Sequence, residues 1–567
     1  MHLKKLIFLL LTLTMLISAC SQPEQKTFTN PILMGYYPDP SICKVDSGYY
    51  LVNSSFAHFP AIPIHFSKDL VNWKQVGSVF TSVDQLDLNG FGVSRAIFAP
   101  SIRYRNGLFY VTCTVVDGGG NFVTTAKDPA GPWTDPVYLP EINGIDPSPF
   151  FDYDGKAYIV YNSDAPDYKP EYEGHRTIRI NEFDPVNLKV ISDNKILVNG
   201  GWDFSTKPIW IEGPHIYKIK GTYYLCAAEG GTSTNHSQVI FRSDSVMGPY
   251  EPYQGNPIMT HRDLDPARPN AITCVGHADL VQNENGDWWA VFLGCRPYEP
   301  VAEGYYNTGR ETFLAPVKWV AGWPLIDPAH EEIQYHYPYP NKPAPFADAD
   351  PTSGNFTIRD DFDKTELKKN YLFLRSPLEQ WWSLTERPGS LSMKVRPETC
   401  ADKTNPSFIA HRQQHLKGSI AVGLDFNAAR KNEKAGLVAF QNENHYYLLC
   451  KSIKDGAPVV QLFKSNPDAD ESLELLSEAA LNNEANEASL NLKIAADGNT
   501  YSFFYSRNDS SWTPLKQGVD ATFLSTRTAG GFVGVVYGMY ATSLHQSSSD
   551  TAYFDWLEYI GDDDIYK

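Results

Sequence analysis

Three observations predict an all-β chain, a five-bladed β-propeller followed by a β-sandwich. A short phrase recurs five times: Gly48, Gly107, Gly155, Gly221 and Gly286 are each followed within three residues by an aromatic and preceded by a mostly apolar run. Asn106-Gly107, Asp154-Gly155 and Asn285-Gly286 are pairs that tolerate φ > 0, so the phrase reads as strand, hairpin turn, strand. Copies are spaced by 59, 48, 66 and 65 residues, enough for a four-stranded sheet with loops and too irregular for a solenoid. With 567 residues the chain exceeds one core, and the propeller phrase is absent from its last two hundred residues, where short strands continue.

At the N-terminus, Lys4 and Lys5 precede an apolar run from Leu6 to Ile17, and Ser18-Ala19-Cys20 follows. The run is too short to span a bilayer and reads as a leader, residues 1–20. Small residues before Cys20 resemble a bacterial lipobox, which implies cleavage there, acylation of Cys20 and a polar tether over 21–27. The expected location is the bacterial cell envelope, periplasmic or cell-surface. Membrane contact is expected only through that lipid. An ordinary signal peptide cut near Ala19 is the alternative.

Blade one runs from about Asn30 to Trp73. Blade two opens at Phe98 and closes near Gly131-Pro132-Trp133, blade three opens at Asp146, blade four runs from Glu212 to Gly248-Pro249-Tyr250, and blade five opens at His277. The propeller is expected over 28–340. Proline, alanine and aspartate dominate from Tyr335 to Gly354, which places a linker at 341–354. The sandwich is expected over 355–567, with strands such as Ile420–Phe426, Leu437–Phe440, Tyr446–Cys450 and Tyr553–Tyr559, and a further one over Phe532–Tyr537. One amphipathic helix is expected near Asp468–Ala479. The seven cysteines after Cys20 are odd in number, scattered and set in apolar stretches, so they read as buried free thiols.

A net charge of −18 argues against nucleic acid, and 33 Tyr and 12 Trp suit flat, uncharged ligands such as sugars. Nine residues before each turn glycine stand Asp39, Phe98, Asp146, Glu212 and His277. In a propeller the inner strands start beside the axis, so these five converge on one pocket. Singly, each has a structural reading: Asp39 and Asp146 precede proline, a common turn start, and a lone histidine is more often core than catalyst. Together, carboxylates crowded into one pocket raise one another's pKa, so that one stays protonated beside an ionised one. Glycosidic bond hydrolysis needs that division. Phe98 would supply an apolar wall for a sugar ring.

Pro38-Asp39-Pro40-Ser41, Phe59-Pro60-Ala61-Ile62-Pro63-Ile64, Ile145-Asp146-Pro147-Ser148, Ile211-Glu212-Gly213-Pro214-His215, Gly276-His277-Ala278-Asp279 and Gly309-Arg310-Glu311-Thr312 together resemble glycoside hydrolase family 43, β-xylosidase-like branch. The resemblance implies an inverting enzyme. In it Asp39 is the general base, Glu212 the general acid and Asp146 the carboxylate that orients the acid. His277, Arg310, Phe56 and Phe98 line the sugar site. The alternative for Arg310 is a salt bridge to Glu311 or a neighbour. Relatives usually carry tryptophan at the position of Phe98, which bears on substrate preference. The sandwich is placed to lend a loop around Gly530–Phe532 to the pocket mouth, restricting cleavage to chain ends. No cofactor is required. A structural calcium is an option, either near His277 or at Asp361, Asp363 and Asp555. The expected substrate is an oligosaccharide or polysaccharide ending in β-1,4-linked xylose, with α-L-arabinofuranose second. A non-catalytic glycan-binding lipoprotein is the rival reading. The related sucrose- and fructan-cleaving group fits less well, since its Asn-Asp-Pro-Asn-Gly and Glu-Cys are replaced here by Tyr37-Pro38-Asp39-Pro40-Ser41 and Glu212-Gly213.

Overall fold

The computed structural model describes residues 26–469, 472–481, 489–507 and 511–567. Cys20 and the leader lie outside them. Five antiparallel sheets follow one another along the chain, and their first strands are Ser41–Val45, Ala96–Arg105, Ile145–Phe151, Glu212–Ile219 and Thr273–Gln282. These strands touch in turn, and the fifth touches the first. The last blade ends at Trp323–Ile326, and all its strands are contiguous in sequence. The ring is closed outside the blades by the N-terminal segment, where Thr27–Thr29 pairs with His336–Pro338 and Leu33 bridges Thr312, and at the axis by side chains.

Those side chains come from one register. Regular pairing begins at Ser41 in the first inner strand and resumes after an irregularity at Ser101, Ser148, His215 and Asp279 in the others. These residues form a circuit around the axis. Ser41 Oγ donates to Asp279 Oδ2 at 2.8 Å and lies 3.4 Å from Ser101 Oγ, which bonds Ser148 Oγ at 3.1 Å. Ser148 Oγ in turn bonds His215 Nδ1 at 2.8 Å. Asp279, fully buried, also accepts from Arg103 at 2.8 Å and from the Tyr217 hydroxyl at 2.6 Å. Burial opposes its charge, but Arg103 and these donors prevail and hold the carboxyl well below the usual range.

The C-terminal part is a sandwich of two eight-stranded antiparallel sheets. Alternate residues such as Ile420, Val422, Leu437, Leu449, Leu492, Phe503 and Leu557 fill its interior, each fully buried aliphatic contributing roughly 1.5–3 kcal/mol. Two expectations are corrected. Leu473–Ala480 is a strand paired with Ala457–Ser465, not a helix: local preference of Glu, Leu and Ala gives way to the open sheet edge beside it. The strand expected over Phe532–Tyr537 lies at Val536–Thr542, which frees Phe532 to leave the sheet. The seven cysteines from Cys43 to Cys450 are buried and unpaired.

The two parts interlock. His58–Phe59, in the second hairpin connection of blade one, pairs with Leu372–Leu374 and forms the edge of a sandwich sheet. Residues 341–354 contain no strand and lie along blade one, where Ala344 N–H donates to Asp69 at 2.6 Å and Lys74 pairs with Asp348. Beneath the junction, buried Arg296 bridges Glu311 at 2.6 Å and Asp563 at 2.7 Å. Replacing Arg296 by Met leaves two buried carboxylates without their cation and is expected to cost about 3–5 kcal/mol, read as a drop in thermal midpoint.

Candidate active site

Asp39, Asp146 and His277 have left-handed backbones, with φ of +52°, +56° and +54°. Such angles are uncommon for side chains larger than glycine and mark places where the fold dictates side-chain direction. All three stand two residues before the circuit of Ser41, Ser148 and Asp279, so they share one register. Blades two and four differ. Their turn glycines, Gly107 and Gly221, stand six residues after Ser101 and His215, whereas Gly48, Gly155 and Gly286 stand seven after Ser41, Ser148 and Asp279. Nine residues back from the glycine therefore overshoots by one. The equivalent residues are Ala99 and Gly213, and Phe98 and Glu212 precede them. A bulge between Glu212 and His215 still brings the glutamate to the axis, and it requires glycine at 213, where φ is +55° and a Cβ would meet the His277 ring at 2.8 Å.

A cavity at the axis is lined by Asp39, Ala99, Asp146, Gly213, His215 and His277. Asp39 is buried and receives Arg310 Nη1 on Oδ1 at 2.8 Å and the Ser54 hydroxyl on Oδ2 at 2.6 Å. His277 Nδ1 lies 4.0 Å from Oδ1. Burial alone would push this carboxyl up, but Arg310, His277 and the Ser54 bond outweigh it and hold its pKa below the usual value. Asp146 accepts the Gly213 N–H at 3.0 Å, and burial raises its pKa, with the Asp39 charge adding to the effect. Glu212, partly buried, is raised well above the ordinary range by burial first and then by the neighbouring charges of Asp146 and Asp39. Asp39 and Glu212 are thus pulled in opposite directions, Asp39 toward the ionised form and Glu212 toward the protonated one.

An aromatic corner adjoins them. Phe56 and Phe98 meet edge to face at 5.1 Å, and Phe532 of the sandwich stacks on Phe56 at 5.9 Å and meets Phe98 edge-on at 5.5 Å. The Arg310 guanidinium lies over Phe56 and Phe532, at 5.9 and 5.5 Å. Glu311 is occupied by Arg296, so Arg310 pairs with Asp39 and not with its neighbour. Phe532 reaches the propeller because Gly309 and Gly534 pass backbone to backbone; a Cβ at Gly309 would meet Gly534 at 2.9 Å.

Sequence reasoning missed Ser54, Thr232 and His236. Thr232 Oγ1 accepts Arg310 Nη1 at 3.0 Å. His236 donates from Nδ1 to the Cys274 carbonyl at 2.9 Å, and burial drives its pKa down to about 3, so the ring is neutral. Its Nε2 and Arg310 Nε are buried without a protein partner. None of the three residues belongs to the repeated phrase, and only their proximity in space marks them.

The metal option at the sandwich finds other partners. Asp361 pairs with Arg359 at 2.8 Å, and Asp555 accepts the Ser390 hydroxyl at 2.8 Å. Among the described residues no group of three or more His, Cys, Asp or Glu side chains is placed to hold a metal ion. Nor, among them, is any helix long and apolar enough to cross a membrane.

Comparison with known proteins agrees with this geometry. The profile of glycosyl hydrolases family 43 matches residues 28–324, and that of the β-xylosidase C-terminal concanavalin A-like domain matches 359–560. A xylosidase/arabinosidase of Butyrivibrio fibrisolvens is 39% identical over 93% of this chain and 98% of its own. A non-reducing end α-L-arabinofuranosidase of Bacteroides ovatus is 37% identical over 97% of this chain and 98% of its own. The crystal structure of xylan β-1,4-xylosidase from Bacillus halodurans superposes with a TM-score of 0.83 at 30% identity, covering 94% of this chain and 100% of that one. The chain belongs to glycosyl hydrolase family 43 and is an inverting glycoside hydrolase built as a five-bladed propeller with a concanavalin-like sandwich.

Proposed function

We propose an exo-acting glycosidase that removes terminal pentoses from oligosaccharides, β-1,4-linked xylose first. The carrying observation is the meeting of Asp39, bound by Arg310, with Asp146 at the propeller axis beside Glu212, whose carboxyl is pulled toward the protonated form while that of Asp39 is pulled toward the ionised one. Asp39, ionised by its contact with Arg310, is the base that takes a proton from water, and Glu212, protonated, is the acid that gives one to the leaving oxygen. Asp146 carries the charge that keeps Glu212 protonated, and through the Gly213 amide it fixes the turn beside it. Phe56, Phe98 and Phe532 wall the terminal sugar. Arg310, with Nε unpartnered, and His277 meet its hydroxyls. Closure of the corner by a sandwich residue supports action at chain ends.

A second reading, α-L-arabinofuranosidase, is supported by the arabinofuranosidase of Bacteroides ovatus among the similar chains. A panel of nitrophenyl pentosides with xylo- and arabino-oligosaccharides separates the two. Proton NMR of the first-formed sugar is expected to show the anomer opposite to the substrate's; a retained anomer would exclude Asp39 as a base acting through water.

The location is proposed with it: acylation of Cys20 would hold the enzyme on the bacterial envelope, as the lipobox-like Ile17-Ser18-Ala19-Cys20 supports. Palmitate labelling that survives in Cys20→Ala would reject it.

A further inference from the structure

A partly exposed aromatic ledge leads into Glu212 along the chain. It consists of two loops, Asp164–Arg176 within blade three and Asn199–Ile211 between blades three and four. Trp210 stands two residues before Glu212 with φ of +52°, and its N–H donates to the Gly174 carbonyl at 2.8 Å. The Arg176 guanidinium lies 4.2 Å over its ring and pairs with Asp164. The Tyr172 hydroxyl sits 2.8 Å from both the Gly200 and Pro208 carbonyls, which clamps one loop onto the other. Gly174 and Ile209 pack so closely that a Cβ on the glycine would meet Ile209 Cβ at 2.8 Å. The root of the second loop is fixed as well, since buried Glu229 accepts the Trp202 N–H at 3.2 Å.

A clamped loop that still presents Phe204 and Ile209 to solvent, at 36% and 39% exposure beside a partly exposed Trp210, is not serving its own packing. Phe56 of the terminal-sugar corner is buried, whereas Phe204 and Ile209 of this ledge are exposed. In an inverting hydrolase the base's water and the leaving oxygen lie on opposite faces of the sugar, so the departing part of the substrate must leave past the acid. Trp210, two residues before the acid, and Arg176, whose charge reaches the Glu212 carboxyl and partly offsets its upward shift, are the neighbours of the acid that such a path would meet.

We propose that Trp210, held by the Arg176 stack and extended by Phe204, is the platform for the leaving-group sugar, an uncharged pyranose ring of the oligosaccharide. This inference rests on Glu212 being the acid. A ring stacked there binds through apolar contact, while Arg176 offers N–H donors to its hydroxyls. Binding energy gained on this ring orients the scissile oxygen toward Glu212, so that losing it lowers kcat as well as raising KM.

The test compares two substrates on each enzyme preparation: xylobiose, whose leaving group is a sugar, and β-xylosyl fluoride, whose leaving group has no ring. If the wild type prefers arabinose, the corresponding arabinofuranosyl pair is used. For Trp210→Ala the ratio of kcat/KM on the disaccharide to that on the fluoride is expected to fall about tenfold, and for Phe204→Ala about threefold. Loss of folded enzyme cancels in this ratio. A ratio within about twofold of wild type for Trp210→Ala overturns the platform while leaving the glycosidase reading intact. A wild-type enzyme inactive on all these pentosides overturns both.

Discussion

Glu212→Gln is expected to lower kcat on xylobiose by roughly 10²- to 10⁴-fold, the usual contribution of general acid catalysis. The loss should shrink as the leaving group improves, because a dinitrophenolate departs without a proton. The pH profile tests the same assignment. Activity of the wild type falls on the alkaline side when Glu212 gives up the proton that burial and the charges of Asp146 and Asp39 make it hold. The glutamine cannot titrate, so that limb should vanish. Stability should move the other way. A carboxyl whose folded pKa lies above its unfolded value disfavours folding once pH exceeds the unfolded pKa. At neutral pH the variant should therefore melt at or above the wild-type temperature. Near-normal turnover of xylobiose would remove Glu212 from the acid role.

Asp39→Asn is expected to cost at least as much, and equally for good and poor leaving groups, because every substrate needs the same activated water. The acidic limb of the wild-type profile, where Asp39 takes up a proton, should go with it. Here stability and activity fall together. Arg310 holds this carboxyl below its ordinary value, so the ionised group stabilises the fold at pH above its unfolded pKa, and that contribution disappears as pH drops through the folded value. The asparagine keeps the Ser54 contact but leaves the buried Arg310 without its counter-charge. A variant with unchanged Tm and a loss confined to poor leaving groups would point to a different base.

The two variants probe residues that the sequence discloses to different degrees. Asp39, Asp146 and His277 stand at one spacing from a turn glycine because three blades share that geometry, and the spacing alone selects them. Glu212 emerges from a count that is off by one, since a glycine set one residue closer to the circuit and a bulge compensate each other in blade four. The same slip placed Phe98 in a register that belongs to Ala99. Phe532 reads both as the start of a strand and as the end of a loop at a glycine pair, because its contact with Phe56 joins residues almost five hundred positions apart. Ser54, Thr232 and His236 carry no pattern at all: a hydroxyl or imidazole beside the site looks like any other until the blades close. In the sandwich the strand alternation is plain, but the stretch Asp468–Ala479 reads as helical because an edge strand's partner is invisible in its own sequence.

The exchange between the two halves makes them inseparable in a practical sense. A piece of the propeller, His58–Phe59, completes a sandwich sheet, and a piece of the sandwich, Phe532, completes the catalytic pocket. Severing the peptide at 341–354 would break one covalent thread and leave this mutual embrace in place, so a nicked enzyme should stay whole and keep working. Grafting the sandwich of a distant relative onto this propeller would instead have to match a borrowed edge and a borrowed ring at once, which makes substrate range a property of the pair and not of either half.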